Sequence, residues 1–120
     1  MSLEIRLTET AEGHLAEALA YSGGKHGDLR RRRYQVLIRT ALRDLAADPG
    51  RHNVRVVEGR LHYHIRHSRD RVPTPPGRVG HPRHIIIAKV VGPVLYVLAF
   101  AHDSMGEALG KRAAAGEAEL

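Results

Sequence analysis

The chain has 120 residues, no cysteine, few aromatic side chains and a formal net charge of +6. This length suits a single domain, and the lack of cysteine excludes disulfides, thiolate nucleophiles and cysteine-bound zinc. No stretch reaches the roughly 20 apolar residues of a membrane helix, and the N-terminus lacks the apolar run of a signal peptide, so we expect a cytoplasmic protein.

Positive charge is concentrated in the middle of the chain. The stretch from Arg51 to Lys89 contains nine basic residues and only two acidic ones, Glu58 and Asp70, which gives a local net charge of +7. Six of the nine histidines lie in the same stretch. Such a segment should attract a polyanion or an acidic polypeptide. The alternative is an arginine-rich surface that is merely solvated.

The first half of the chain predicts a strand followed by two helices. Residues 4–7 alternate polar and apolar side chains, which favours a short strand, and Thr8 can then cap a helix. We expect residues 22–27 to break that helix and Asp28 to cap the next one. The second helix has the clearest pattern, because its apolar residues recur at helical spacing until Asp48-Pro49-Gly50: Tyr34, Leu37, Ile38, Ala41, Leu42 and Leu45.

The second half predicts strands. Residues 53–57 and 60–67 read as a hairpin around Glu58-Gly59, and the prolines and glycines of 68–82 predict a long loop. Two further strands, 84–91 and 94–101, should be joined by a Gly92-Pro93 turn. A last helix should follow, with Ser104 and Glu107 at the spacing of a capping box. We place one domain at 1–112 and a flexible tail at 113–120.

The final strand is apolar on both faces. Strict alternation puts Val94, Tyr96, Leu98 and Phe100 on one face and Leu95, Val97, Ala99 and Ala101 on the other. A strand of this kind must be covered on both sides. The two helices can cover one side, and the other needs the C-terminal segment, another subunit or a partner.

This order of elements predicts an α+β fold. We expect an N-terminal strand and a two-helix hairpin packed on a small, twisted, mostly antiparallel sheet, with a short C-terminal helix.

Four segments make the chain resemble ParE-like members of the ParE/RelE toxin superfamily. They are Leu45-Ala46-Ala47-Asp48-Pro49, the stretch 64–71, the stretch 78–84, and His102-Asp103-Ser104-Met105. The resemblance implies a helical hairpin followed by a small twisted sheet. It further implies the toxin of a type II toxin–antitoxin system, which inhibits DNA gyrase and is neutralised by an antitoxin with an acidic segment that folds on binding. RelE-like relatives instead cleave mRNA in the ribosome, and an inactive antitoxin-binding or nucleic-acid-binding relative is a third reading.

Candidate site residues follow from these readings. The target-binding set is Arg69, Arg71, Arg78, Arg83, His102, Asp103, Ser104 and Met105. The antitoxin-binding set is Arg30, Arg31, Tyr34, His62, His64 and Arg66. A metal-independent ribonuclease would draw on cations and proton-transfer groups among Arg66, Arg71, Arg83, His84, Tyr96 and His102.

Two other kinds of chemistry are disfavoured by the sequence. His62, His64 and His67 could suggest a metal site, but His67 breaks the strand register and no carboxylate accompanies them. We therefore expect no metal and no cofactor. His102-Asp103-Ser104 has the residue types of a catalytic triad, but sequence neighbours cannot align as one, and a helix-capping role for Asp103 or Ser104 is the better interpretation.

Overall fold

The structure, a computed structural model, describes the backbone of residues 2–120 and their side chains except those of 22–26. Its elements in chain order are β1 (Glu4–Leu7), α1 (Glu9–His26), α2 (Asp28–Ala47), β2 (Arg55–Val57), β3 (Arg60–His64), a 3₁₀ helix (Ile65–Arg71), β4 (His84–Val91), β5 (Val94–His102) and α3 (Ala108–Glu117).

The described strands form one five-stranded sheet in the order β1-β5-β4-β3-β2. The β1 strand runs parallel to β5, and every other neighbouring pair is antiparallel. The predicted α+β class, with its helical hairpin, mostly antiparallel sheet and short C-terminal helix, is therefore confirmed. No helix within the described residues combines the length and apolar character needed to cross a bilayer.

The helical hairpin begins as expected but is interrupted over a shorter stretch. Thr8 caps α1, since its Oγ1 accepts the Ala11 N–H at 3.0 Å. The predicted break at 22–27 was wrong in extent, because α1 continues to His26, although the side chains of 22–26 lie outside the described part. Gly27 alone separates the helices: its φ of 85° requires glycine, and it replaces Asp28 as the N-cap of α2.

The main core lies between the helical hairpin and one face of the sheet. The predicted face of α2 is buried there, with Leu37, Ala41 and Leu45 inaccessible to solvent. Tyr63 of β3 and Ile65 complete this layer from the sheet side. The spacing of the apolar residues in α2 therefore predicted its buried face correctly.

The hairpin strands are shorter than the sequence indicates. The first begins at Arg55 rather than residue 53, and the second ends at His64 rather than residue 67, because the chain turns into the 3₁₀ helix at Ile65. A buried network fixes that helix to α2: Ser68 Oγ donates to Asp44 Oδ2 at 2.6 Å and lies 2.8 Å from the Tyr63 hydroxyl. The tight turn at Glu58-Gly59 is present, with φ of 51° and 76°.

A β-bulge changes which side chains of β5 face the helices. The ladder between β4 and β5 shifts at Ile87/Ala88, so Leu98 is passed over in the pairing. The predicted strict alternation was therefore wrong beyond this point. Phe100 joins Leu95 and Val97 in the main core, whereas Leu98 packs with Ala99 on the opposite face.

The opposite face of the sheet is covered by the C-terminal segment itself. Ala113 of α3 packs with Ile87, Leu98 and Ala101 in a second core cluster. A Cβ at Gly116 would lie only 1.8 Å from the Leu98 carbonyl oxygen, so glycine is what lets α3 approach the strand this closely. Neither another subunit nor a partner is needed to cover this face.

The C-terminus also differs from its predicted form. The residues expected to be a flexible tail, 113–120, instead hold the second half of α3, and the Glu119 carboxylate accepts the Glu9 and Thr10 N–H groups at 2.8 and 3.0 Å. Glu119 thereby satisfies N–H groups that the first turn of α1 leaves without helical partners. The capping box was wrong too, since α3 begins at Ala108 and Glu107 makes no side-chain cap.

Candidate functional site

A depression lined by several arginines forms a cleft of about 330 Å³, which we call the cationic cleft. It lies where the end of α1, the first turns of α2, the loop before β4 and the end of β5 meet. Its lining consists of basic and aromatic side chains and two small apolar residues: Tyr21, Arg30, Arg33, Tyr34, Arg78, Val79, Gly80, His81, Arg83, His84 and His102. Among the described residues that line it, none is acidic.

Several arginines around the cleft are held in place by the protein. Arg33 Nε donates to the Pro76 carbonyl at 2.7 Å, and Arg78 Nη2 lies 2.6 Å from Asp70 Oδ1. Arg83 Nε donates to Asp103 Oδ1 at 3.0 Å, and Arg83 Nη2 lies 3.0 Å from the same oxygen. The Arg30 side chain has no ion pair or hydrogen bond within the described part of the chain. The cleft thus combines fixed guanidinium groups with an uncompensated one, an arrangement that favours an anionic ligand.

Two neutral side chains form the floor of the cleft. The Tyr34 hydroxyl accepts the Arg83 N–H at 3.2 Å and shares a second hydrogen bond with His84 Nδ1. Burial lowers the pKa of His84 to about 4, with neighbouring His102 acting in the same direction, and burial raises the pKa of Tyr34 to about 12. Near pH 7, His84 is therefore a neutral imidazole.

Asp103 joins the cationic cleft to the adjacent strand β3. One oxygen holds Arg83, and the other accepts His64 Nε2 at 3.0 Å. Desolvation opposes ionisation of this carboxyl group, but hydrogen bonds from His64 and Arg83 lower the pKa of Asp103 below its ordinary value. His64 Nδ1 accepts the Arg66 N–H, and burial lowers the pKa of His64, so the contact with Asp103 joins a neutral imidazole to a carboxylate.

A second groove of about 320 Å³ lies on the sheet face beside the region that α3 covers. His62, His64 and Arg66, which we had assigned to antitoxin binding, line it together with His67 and Arg55. Burial is the main cause that lowers the pKa values of His62 and His67. We call this depression the histidine groove.

The structure divides the predicted site residues among several places. In the target-binding set, Arg78, Arg83 and His102 line the cationic cleft. Arg69 lies behind the loop, where it donates to the Gly80 carbonyl at 3.0 Å, and Arg71 lies 3.6 Å from Asp44 on the α2 side. Met105 packs against the second core cluster.

The antitoxin-binding set is divided as well. Arg30 and Tyr34 belong to the cationic cleft, and Tyr34 is buried, so it acts from the floor rather than as an exposed contact. Arg31 is exposed on α2 outside both depressions. Three members lie in the histidine groove, as described above. The nuclease set is also scattered, because Tyr96 packs toward the second core cluster, away from His84.

The turn after β5 uses its polar side chains differently from the sequence prediction. Neither Asp103 nor Ser104 caps α3. Ser104 Oγ instead lies 2.7 Å from His102 Nδ1, and the Ser104 N–H donates to the same nitrogen at 3.2 Å. The Asp103 carboxylate is also nearest to Nδ1, at 3.6 Å, so it does not orient the ring from the opposite nitrogen as a triad requires.

Sequence reasoning missed Tyr21, Arg33 and His81 as site residues. Arg33 belongs to the arginine run 30–33 at the start of α2, of which the predicted antitoxin-binding set included only Arg30 and Arg31. Tyr21 gave a weaker signal, a tyrosine at the end of an amphipathic helix. Tyr21 becomes part of the cationic cleft only because the helical hairpin brings the end of α1 beside the loop before β4.

A metal site is not found at the histidines. Within the described residues, no group of three or more histidine, aspartate or glutamate side chains is arranged to hold a metal ion.

No known protein-family model and no curated protein matches the chain.

Proposed function

We propose that this chain is the toxin of a toxin–antitoxin pair and works in the cytoplasm. In this proposal it arrests growth by contacting DNA gyrase through the cationic cleft, and a cognate antitoxin with an acidic segment neutralises it. The observation that carries the proposal is the convergence of Arg30, Arg33, Arg78 and Arg83 on one cleft whose described lining contains no acid. Such a surface suits a target that presents negative charge.

The antitoxin part of the proposal rests on charge rather than on an uncovered core. Because α3 already covers the second face of the sheet, a missing partner is not needed to complete the fold. Support comes instead from Arg55 and Arg66 in the lining of the histidine groove, which also contains one acid, Asp103. An acidic segment would find cations there and in the cationic cleft, and one chain could span both.

A growth assay tests the target surface. We expect induction of the wild-type chain to stop growth and to reduce plasmid supercoiling, and we expect the double variant Arg30→Ala/Arg83→Ala to do neither. The matched control is Arg39→Ala/Arg43→Ala, which removes the same charge from exposed positions farther along α2 and should remain toxic. Arg71 is left unchanged because it pairs with Asp44 outside the cleft.

The outcomes of this assay separate the alternatives. Undiminished arrest by Arg30→Ala/Arg83→Ala contradicts the cleft as the target surface. The absence of any growth phenotype for the wild-type chain overturns the toxin proposal and favours an inactive binding module.

A ribonuclease is the second candidate, and one observation favours it. His84 stays neutral near pH 7, contacts the Tyr34 hydroxyl and lies beside His102 and Arg83, so imidazole groups that can transfer protons lie next to a cation. Primer extension on cellular mRNA shortly after induction distinguishes the two. Discrete cleavages that disappear in His84→Gln favour the nuclease, whereas intact mRNA with lost supercoiling favours gyrase inhibition.

A further inference from the structure

We infer that the cationic cleft of the isolated chain binds single-stranded nucleic acid directly, with a phosphate among its arginines and an adjoining base stacked on Tyr21. The inference concerns the ligand of the cleft itself and goes beyond the proposed toxin activity. It rests on Tyr21, the arginines and the size of the depression.

Tyr21 is unusually placed for a large aromatic residue. It lies at the edge of the cationic cleft, yet 78% of its surface is exposed. Stacking on an exposed aromatic ring is how proteins hold unpaired bases, and it operates with any base because every base has a π-face. An open ring beside a cluster of arginines therefore provides both parts of such a site.

The arginines are suited to a phosphate. Arg33 and Arg83 are oriented by the Pro76 carbonyl and by Asp103, so less side-chain freedom is lost when they engage a ligand. Arg30 adds a positive charge without a partner in the described part of the chain. Guanidinium groups bind phosphate oxygens through paired N–H donors, and this geometry matches a phosphodiester as well as a terminal phosphate.

The shape of the cleft favours one strand over two. At about 330 Å³ it lies near the lower limit for ligand sites, on the scale of one nucleotide unit. A base can reach Tyr21 only if it has left its own stack, and a single strand offers such bases at little cost. His84 and His102, which also line the cleft, supply polar groups for the sugar or base edge.

Fluorescence anisotropy with the purified full chain tests the inference. The probes are a labelled 12-nucleotide DNA, an RNA of the same sequence, and the duplex of that DNA, all at one fixed salt concentration. We expect the single strands to bind at least about ten-fold more tightly than the duplex. The ratio of RNA to DNA affinity shows whether the site reads the 2′-hydroxyl.

Variants assign the two parts of the site. Tyr21→Ala should weaken single-strand binding about ten-fold, and Tyr21→Phe should retain it, since stacking needs the ring and not the hydroxyl. Leu29→Ala is the control for loss of an exposed apolar side chain that does not line the cleft, and it should bind like wild type. Arg30→Ala should weaken binding and reduce the dependence of log affinity on log salt by about one unit.

Two results overturn the inference: equal affinity for duplex and single strand, or unchanged affinity in Tyr21→Ala. Because Tyr21 is exposed, circular dichroism of Tyr21→Ala should match wild type, and Tyr21→Phe gives a second reading if it does not. Failure here is distinct from failure of the toxin proposal. Growth arrest without oligonucleotide binding removes the inference alone, and binding without growth arrest removes the toxin proposal alone.

Discussion

At the scale of single residues, Ser68 shows how a buried hydroxyl ties the 3₁₀ helix to α2. It is inaccessible to solvent, and its Oγ donates to Asp44 and accepts from Tyr63. Ser68→Ala leaves the Tyr63 hydroxyl buried without an acceptor and removes a donor to Asp44, so we expect a loss of about 1–3 kcal/mol in the free energy of unfolding. Urea denaturation measures this as a lower midpoint with an unchanged slope. The control Ser104→Ala, at an exposed serine, should change the free energy of unfolding by less than about 0.5 kcal/mol. Equal midpoints for the two variants would contradict the buried network.

His84 gives the fold a dependence on pH. Its pKa is about 4 in the folded protein and near 6.5 in an unfolded chain, so the unfolded state takes up the proton first as the pH falls. The contribution of His84 is therefore complete above pH 6.5, declines between pH 6.5 and 4, and is lost below about pH 4. Between pH 7.0 and 4.5, we expect His84→Gln to lose about 2 kcal/mol less unfolding free energy than the wild type, allowing for solvent screening at the partly exposed ring. Urea unfolding at pH 7.0 and 4.5 checks it; parallel declines in the variant and the wild type would disprove the role of His84.

At the scale of secondary structure, Gly116 controls how closely α3 packs on β5. A methyl group there would meet the Leu98 carbonyl oxygen at 1.8 Å, so Gly116→Ala should force the helix outward at a cost of at least about 1–3 kcal/mol. Gly110 lies on the same helix with nothing within 4 Å of an added Cβ. Gly110→Ala should stabilise the protein by about 0.5–1 kcal/mol, because alanine favours helix. Thermal unfolding compares the two variants, and a Gly116→Ala protein as stable as wild type would show that the contact is not close.

The elements that the sequence could predict are those with a signal in neighbouring residues. The α2 helix has a long apolar period, and the Glu58-Gly59 turn has a local signature, so both were predictable from neighbouring residues. The bulge near Leu98 had no such signal, since each residue around it is apolar and suits either face. The sequence left the cover of the second face open between the C-terminal segment, another subunit and a partner, because the buried positions of α3 are the small residues Ala113 and Gly116 rather than a leucine stripe.

For the candidate site, sequence reasoning found residue types but not their grouping. Arg78, Arg83 and His102 were predicted as target contacts and line the cleft, yet Arg71 was grouped with them although its guanidinium lies beside Asp44. The difference arises because the 3₁₀ helix extends to Arg71, where the sequence predicted a loop. Tyr21 joins the cleft through the hairpin geometry, which no local pattern specifies.

At the scale of the whole molecule, both faces of strand β5 are covered from within the chain, so the fold should not depend on a partner. Burial of Leu98, Ala99 and Ala101 under α3 completes the second core cluster. We expect the full chain to be a folded monomer whose melting temperature changes by less than about 1 °C over a hundred-fold dilution, since only association would link stability to concentration. Sedimentation and thermal melts measure this. A chain ending at residue 107 lacks α3 and should bind a hydrophobic dye and self-associate, because the apolar face of β5 becomes exposed. If the melting temperature of the full chain instead rises steeply with concentration, a second copy, and not α3 alone, completes the core.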